Sequence, residues 1–191
     1  MRKKIEADHF KNFKMLSRLK EQGGILYFIV KQANLEENRY DSDLYQLKDG
    51  KVGRLTSSRD IGTYYCLNGS IVFPALREKK DKEAVQSGTP LTVLYRMVPG
   101  MGEALEWKRL PYQVQEIEFL DEDHFFFTAV YSRQWEELLA ACGADMDQAL
   151  KEKKENEEFR IFEEIPFWRN GGGDVSGVRS RLYYYHEGQA F

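Results

Sequence analysis

The sequence predicts an all-β protein of repeated strand-turn-strand units with a small helical insertion, and three observations predict it. Short runs rich in β-branched and aromatic residues are bounded by turn chemistry and are too short for helices. Asp49-Gly50 and Asn68-Gly69 lie between such runs, where a tight hairpin needs positive φ. Strand-turn-strand units also return about every 40 to 50 residues, the spacing of propeller blades, although periodicity alone serves a β-sandwich nearly as well.

The elements follow in order. The first 23 residues place Phe10, Phe13, Leu16 and Leu19 at helical spacing, but their position before a strand favours an extended lead-in. Ile25-Leu26-Tyr27-Phe28-Ile29-Val30 reads as a strand buried on both faces. Residues 43–48 alternate and turn through Asp49-Gly50 into a strand over 51–56. Asn68-Gly69 leads into a strand over 71–76, a charged loop spans 77–88, and residues 91–98 form a strand that continues through Pro99-Gly100 towards 104–107. A third unit pairs 114–119 with 125–131 across a solvated acidic turn, Asp121-Glu122-Asp123. A helical insertion covers about 133–156: Trp135, Leu138, Leu139 and Cys142 form one apolar stripe, Gly143 ends the first helix, and Asp145 with Gln148 caps a second. It reads as a packing insertion over a propeller face, or as an interaction element for a partner or another domain.

Composition narrows the function classes. The 28 Lys and Arg are scattered among 31 Asp and Glu, for a formal net charge of −3, so no basic footprint for nucleic acid stands out. No run approaches a membrane span and no apolar stretch follows the basic start, so the expected compartment is the cytoplasm. Cys66 and Cys142 lack metal-site or disulfide-scaffold spacing and read as buried small hydrophobes.

Catalytic and cofactor motifs are missing from the sequence. A serine nucleophile needs a Gly-x-Ser-x-Gly elbow, and Ser176 sits in Gly173-Asp174-Val175-Ser176-Gly177 with the wrong spacing. His9, His124 and His186 read as surface or strand histidines. The run from Gly172 to Arg179 lacks the Lys-Ser/Thr ending of a phosphate loop, and the acidic turn lacks calcium-loop spacing. The expectation is no catalytic residue, no metal and no cofactor in this chain.

Glu164-Ile165-Pro166-Phe167-Trp168-Arg169-Asn170-Gly171, followed by Arg179-Ser180-Arg181-Leu182-Tyr183, resembles a segment in the N-terminal β-propeller of bacterial serine peptidases of the prolyl oligopeptidase family, the acylaminoacyl-peptidase and dipeptidyl-peptidase-like members. The stretch Ala33-Asn34-Leu35-Glu36-Glu37-Asn38-Arg39-Tyr40 is similar to one in their first blade. Gly102-Glu103-Ala104 is similar to their Gly-Gly-Glu-Ala turn, with Met101 in place of the first glycine. The resemblance extends from about Gly24 onward.

It implies that residues 1–191 are about three blades of a propeller of seven or eight, without the α/β-hydrolase domain that carries the triad. The implied parent hydrolyses short peptides, and this portion gates and partly lines access to the active site. Its implied partners are that hydrolase domain and a peptide substrate, with no nucleic acid and no membrane. Strand edges left open at the two ends would let the piece self-associate. Candidate substrate contacts are Glu36, Glu37, Arg39 and Arg169, while Trp168 reads as a packing residue between blades. The alternative is a binding-only propeller, a scaffold or ligand-recognition protein with no hydrolase domain.

Overall fold

The computed structural model describes residues 7–156, 168–169, 173–174, 178–186 and 188–191. After a 3-10 helix, Ala7–Asn12, the first sheet is a meander of β1 (Lys14–Gln22), β2 (Ile25–Asn34), β3 (Arg39–Lys48) and β4 (Lys51–Arg54). The second contains β5 (Tyr65–Leu67), β6 (Ser70–Pro74), β7 (Thr92–Met97) and β8 (Leu105–Leu110), with α1 (Lys79–Gln86) between β6 and β7. The third begins with β9 (Val114–Phe119) and β10 (His124–Ser132); α2 (Arg133–Ala141), α3 (Met146–Glu155) and a separate two-stranded hairpin of β11 (Trp168–Arg169) and β12 (Gly173–Asp174) follow in the chain. The chain then returns to the third sheet as β13 (Val178–His186) and β14 (Gln189–Ala190). Each four-stranded sheet keeps the order in which its strands occur in the chain. The architecture is therefore all-β and repetitive, a partial β-propeller.

Turn chemistry explains the hairpins. Asp49-Gly50 and Asn68-Gly69 have positive φ at both residues (48° and 73°, 46° and 77°), which gives the twist that lets two-residue turns join antiparallel strands. The lead-in is extended from Lys14, as expected, with a bulge between Ser17 and Lys20 where Arg18 takes φ 54°. The helical insertion also follows the sequence. Trp135, Leu138 and Leu139 are half-buried and Cys142 is buried, the Ser132 hydroxyl accepts from the Trp135 N–H, and Gly143 has φ 64°. Asp145 caps α3 by accepting from the Gln148 N–H at 3.0 Å, but the Gln148 side chain donates forward to Glu152 instead of completing a reciprocal box.

Two expectations need correction. Residues 79–86, read as part of a charged loop, form α1. Its buried position is Asp81, with Ala84 and Val85 half-buried, so the helix docks through a charge and lacks the apolar stripe that marks a helix in sequence. Cys66 is half-buried where burial was expected, while Cys142 is buried. Desolvation pushes both thiols up, which keeps them protonated and weakly nucleophilic.

The chain divides into two compact units, one of residues up to 75 with 93–108, the other of 76–92 with 109–191. In the first unit, Tyr27, Ile29 and Leu44 from one face of the first sheet are buried, as are Tyr64, Val72, Phe73 and Leu94. In the second, β10 and β13 pair in register over their whole length and stack Phe125 on Tyr185 (4.4 Å) and Phe127 on Tyr183 (5.1 Å), with Tyr112 against the latter pair. The Asp81 carboxylate is gripped there by Arg109 through two bonds, of 2.5 and 3.1 Å.

Candidate functional site

In an up-and-down meander the turn from second to third strand lies at the same end of the sheet as the segment leaving the fourth strand. That topology places residues 35–38, joining β2 and β3, beside residues 55–61, which follow β4. Main-chain bonds fasten that segment to β3: Ser42 N–H donates to the Arg59 carbonyl (3.1 Å) and Ile61 N–H to the Ser42 carbonyl (3.0 Å). A cavity of about 560 Å³, open to solvent, lies here in the first unit. Val30, Gln32, Asn34, Glu36, Asp41, Asp43, Tyr45, Arg54 and Arg59 are among the residues that line it.

Asp43 organises its floor. Only 5% exposed, it accepts from the Thr56 hydroxyl (3.1 Å) and the Arg59 N–H (3.1 Å) and pairs with Arg54 (2.5 Å). The Thr56 hydroxyl in turn accepts from the Leu44 N–H at 3.0 Å, so one carboxylate and one hydroxyl turn the chain after β4 back along β3. Asp41 lies nearer the rim, 3.1 Å from Arg39 Nε and 3.9 Å from Arg59 Nη1, and its Oδ2 accepts from the Asn34 amide. Asn34 Oδ1 accepts from the Glu37 N–H at 3.1 Å, which shapes the turn.

Three of the four proposed contacts meet at this turn. Glu37 is an ion-pair partner of Arg39 at 2.6 Å, both half-exposed, so those charges are already matched to each other. Glu36 is exposed on the cavity wall with no ion pair or side-chain hydrogen bond among the described residues. Arg169 lies in β11, and its side chain is outside the described residues, as is that of Trp168; residues 164–167 and 170–172 of the motif and Ser176 are outside them too. Sequence reasoning missed Asp43, Thr56, Arg54 and Arg59. Asp43 falls at a polar position of an alternating strand, so no signal in the sequence set it apart from Asp41 or Gln46.

The other features read as structure. Asp121 accepts from the Asp123 and His124 N–H groups at 2.8 Å and from the His124 ring; the Asp123 bond, then the His124 ring, hold its carboxyl below the usual range, as befits a turn staple. His124 stacks on His186 at 4.7 Å across β10 and β13. Among the described residues no group of three or more His, Cys, Asp or Glu converges to hold a metal ion, and no helix is long and apolar enough to cross a membrane.

Comparison with solved structures supports the fold. The chain is similar to an acylaminoacyl peptidase in complex with Z-Gly-Gly-Phe-chloromethyl ketone and to the orthorhombic crystal form of the Pyrococcus horikoshii acylaminoacyl peptidase. Each match has a TM-score of 0.63 at 16% identity and covers 95% of this chain. It is also similar to the apo form of the AtxE2 isopeptidase, with a TM-score of 0.50 at 12% identity over 92% of this chain. The chain spans 25% of the length of the two acylaminoacyl peptidases and 28% of the isopeptidase. No protein-family model matches the sequence, and no curated protein matches it. At these identities the likeness defines the class as a propeller architecture, and function is a separate inference.

Proposed function

We propose that this chain is the propeller portion of a cytoplasmic serine peptidase of the prolyl oligopeptidase family, gating and partly lining the path of short peptides to an active site in a separate α/β-hydrolase domain. The observation that carries the reading is the fold match over 95% of the chain to acylaminoacyl peptidases. The Pro-Phe-Trp and Arg-Ser-x-Leu-Tyr resemblance supports it independently. Strand-end turns are the parts of a blade that face its openings, so the turn with Glu36, Glu37 and Arg39 is the segment best positioned to meet a passing peptide, with Arg169 as the fourth contact. Glu36 is the member of this set with a carboxylate left for an incoming group.

The test uses the full-length product of the gene that encodes this chain. Reading past Phe191 should show a Gly-x-Ser-x-Gly elbow followed by Asp and His, and a fluorophosphonate probe should label that serine. Blocked short peptides should be cleaved while a folded protein is spared. A reading frame with no elbow and a product that takes up no probe would sink the peptidase reading and leave a binding-only propeller.

A further inference from the structure

The cavity of the first unit presents two opposite charges that are not matched to each other. Its acidic side chains are Glu36, Asp41 and Asp43, and its basic ones are Lys11, Arg54 and Arg59. Asp43 pairs with Arg54 at 2.5 Å, and Asp41 lies 3.1 Å from Arg39 Nε and accepts from the Asn34 amide at 3.2 Å. Lys11 has a partner as well. One carboxylate and one guanidinium remain. Among the described residues Glu36 has no side-chain partner, and the Arg59 guanidinium comes no nearer to a carboxylate than 3.9 Å, at Asp41, beyond hydrogen-bond reach.

Arg59 is held in this place against its backbone preference. Its φ of 64° lies in the left-handed region, which residues other than glycine, asparagine and aspartate rarely adopt. The backbone is clamped from two sides: Asp43 Oδ1 accepts its N–H at 3.1 Å, and the Ser42 N–H donates to its carbonyl at 3.1 Å. A guanidinium carried on such a residue is pre-organised, and a backbone outlier of this kind points to use. The turn that carries Glu36 is fixed too, because Asn34 Oδ1 accepts from the Glu37 N–H at 3.1 Å. Val30, Leu35 and the Tyr45 ring give the lining an apolar share, and the volume of about 560 Å³ is that of a small-molecule site.

We propose that this cavity binds a small zwitterion, a molecule that carries an ammonium and a carboxylate together, as a free amino acid or a short unblocked peptide does. Arg59 takes the carboxylate through its planar fork, and Glu36 takes the ammonium. The apolar lining favours an aliphatic side chain. A simple anion meets Glu36 and a simple cation meets Arg59, so each is disfavoured. Every lining residue falls within residues 11–59, so the cavity is formed by the first unit itself. The inference does not rest on the peptidase reading, because binding needs no hydrolase domain.

The experiment titrates the full-length product of the gene by calorimetry, after treatment with a fluorophosphonate that closes any active-site serine. The probes are leucine and the dipeptide Ala-Leu, each also acetylated at its amine or amidated at its carboxylate. Leucine or Ala-Leu should bind, and the tighter of the two identifies the source of the zwitterion. Blocking either end of the tighter binder should weaken it by roughly tenfold or more. Arg59→Gln should erase the difference between the free carboxylate and its amide, and Glu36→Gln the difference between the free amine and its acetyl form. Those variant-specific losses separate this cavity from any other site. Failure of both zwitterions to bind the wild type, blocked forms that bind as well as free ones, or variants that keep both preferences would each overturn the proposal. Far-ultraviolet circular dichroism checks folding; should Arg59→Gln fail to fold, Arg59→Lys, which keeps the charge and loses the fork, should weaken binding of the carboxylate forms alone. A product that takes up no fluorophosphonate removes the peptidase reading and leaves this titration intact.

Discussion

The two units each bury one aspartate to anchor a connection, and they do it differently. Asp43 shares its charge among three donors, Arg54 at the end of β4 and the Thr56 hydroxyl and Arg59 N–H of the segment that follows it. Asp81 sits on α1 and is held through both oxygens by Arg109, a residue 28 positions away at the end of β8. A carboxylate with distributed donors tolerates the loss of one, whereas a carboxylate that depends on one fork is stranded when the fork is removed. The physical lesson concerns redundancy more than strength.

The largest expected effect is therefore Arg109→Ala. It leaves Asp81, with its side chain 5% exposed, buried without its partner, and α1 should lose about 3 kcal/mol of local stability. Hydrogen exchange across α1 reads this directly, and unchanged protection there would break the comparison. Arg54→Ala should cost about 1 to 2 kcal/mol, because Asp43 keeps Thr56 and the Arg59 N–H and because Arg54 itself is 44% exposed. Urea denaturation of both variants tests the ranking: Arg54→Ala equal to or worse than Arg109→Ala would refute the redundancy argument.

Acid titration isolates the Asp81 fastening. The Arg109 hydrogen bonds hold the Asp81 carboxyl below the usual range. As pH falls, the unfolded chain takes up its proton first, near the ordinary value of about 4. The contribution of Asp81 to stability is therefore complete above that value and is lost as pH falls through the lower folded value. Asp121 titrates in the same window for its own local reasons, so the informative quantity is the difference between wild type and Asp81→Asn. The variant should show a shallower loss of stability on the acid side, and identical acid slopes would exclude Asp81 as a source.

Much of the fold was legible because strands and hairpins announce themselves locally. Asp49-Gly50 and Asn68-Gly69 specify their turns by backbone conformation, and the α2 stripe is a four-residue pattern within two turns of helix. What stayed hidden depends on partners distant in sequence. No apolar period marks α1, since its inward position is a charge neutralised by Arg109. Asp43 looked like a polar residue on an alternating strand, yet Asp43 and Leu44 on opposite sides of β3 are 5% and 0% exposed. Of the candidate site, the turn with Glu36, Glu37 and Arg39 was singled out by resemblance, whereas the Asp43 network beneath it arises from tertiary placement of residues 11 to 16 positions away.

The smallest expected effect sharpens the comparison by removing charge from it. Tyr64 lies at the end of the same connection that Asp43 anchors, and its hydroxyl is 2.5 Å from the Arg18 carbonyl and 2.7 Å from the Tyr27 carbonyl. One hydroxyl proton serves one of these acceptors at a time, so the phenol ties the β1 bulge to β2 with a neutral bond. Burial pushes the phenol well above its usual range, and it stays protonated wherever the chain is folded. Tyr64→Phe should then cost about 1 kcal/mol, with exchange protection falling near Arg18, and the cost should be the same at low and high salt and from pH 6 to 9. Arg54→Ala should by contrast lose part of its cost as salt is raised, because that guanidinium is half in water. A Tyr64→Phe cost that shrinks with salt would show that the two fastenings of this connection are coupled, and that the Asp43 network extends further than its three donors.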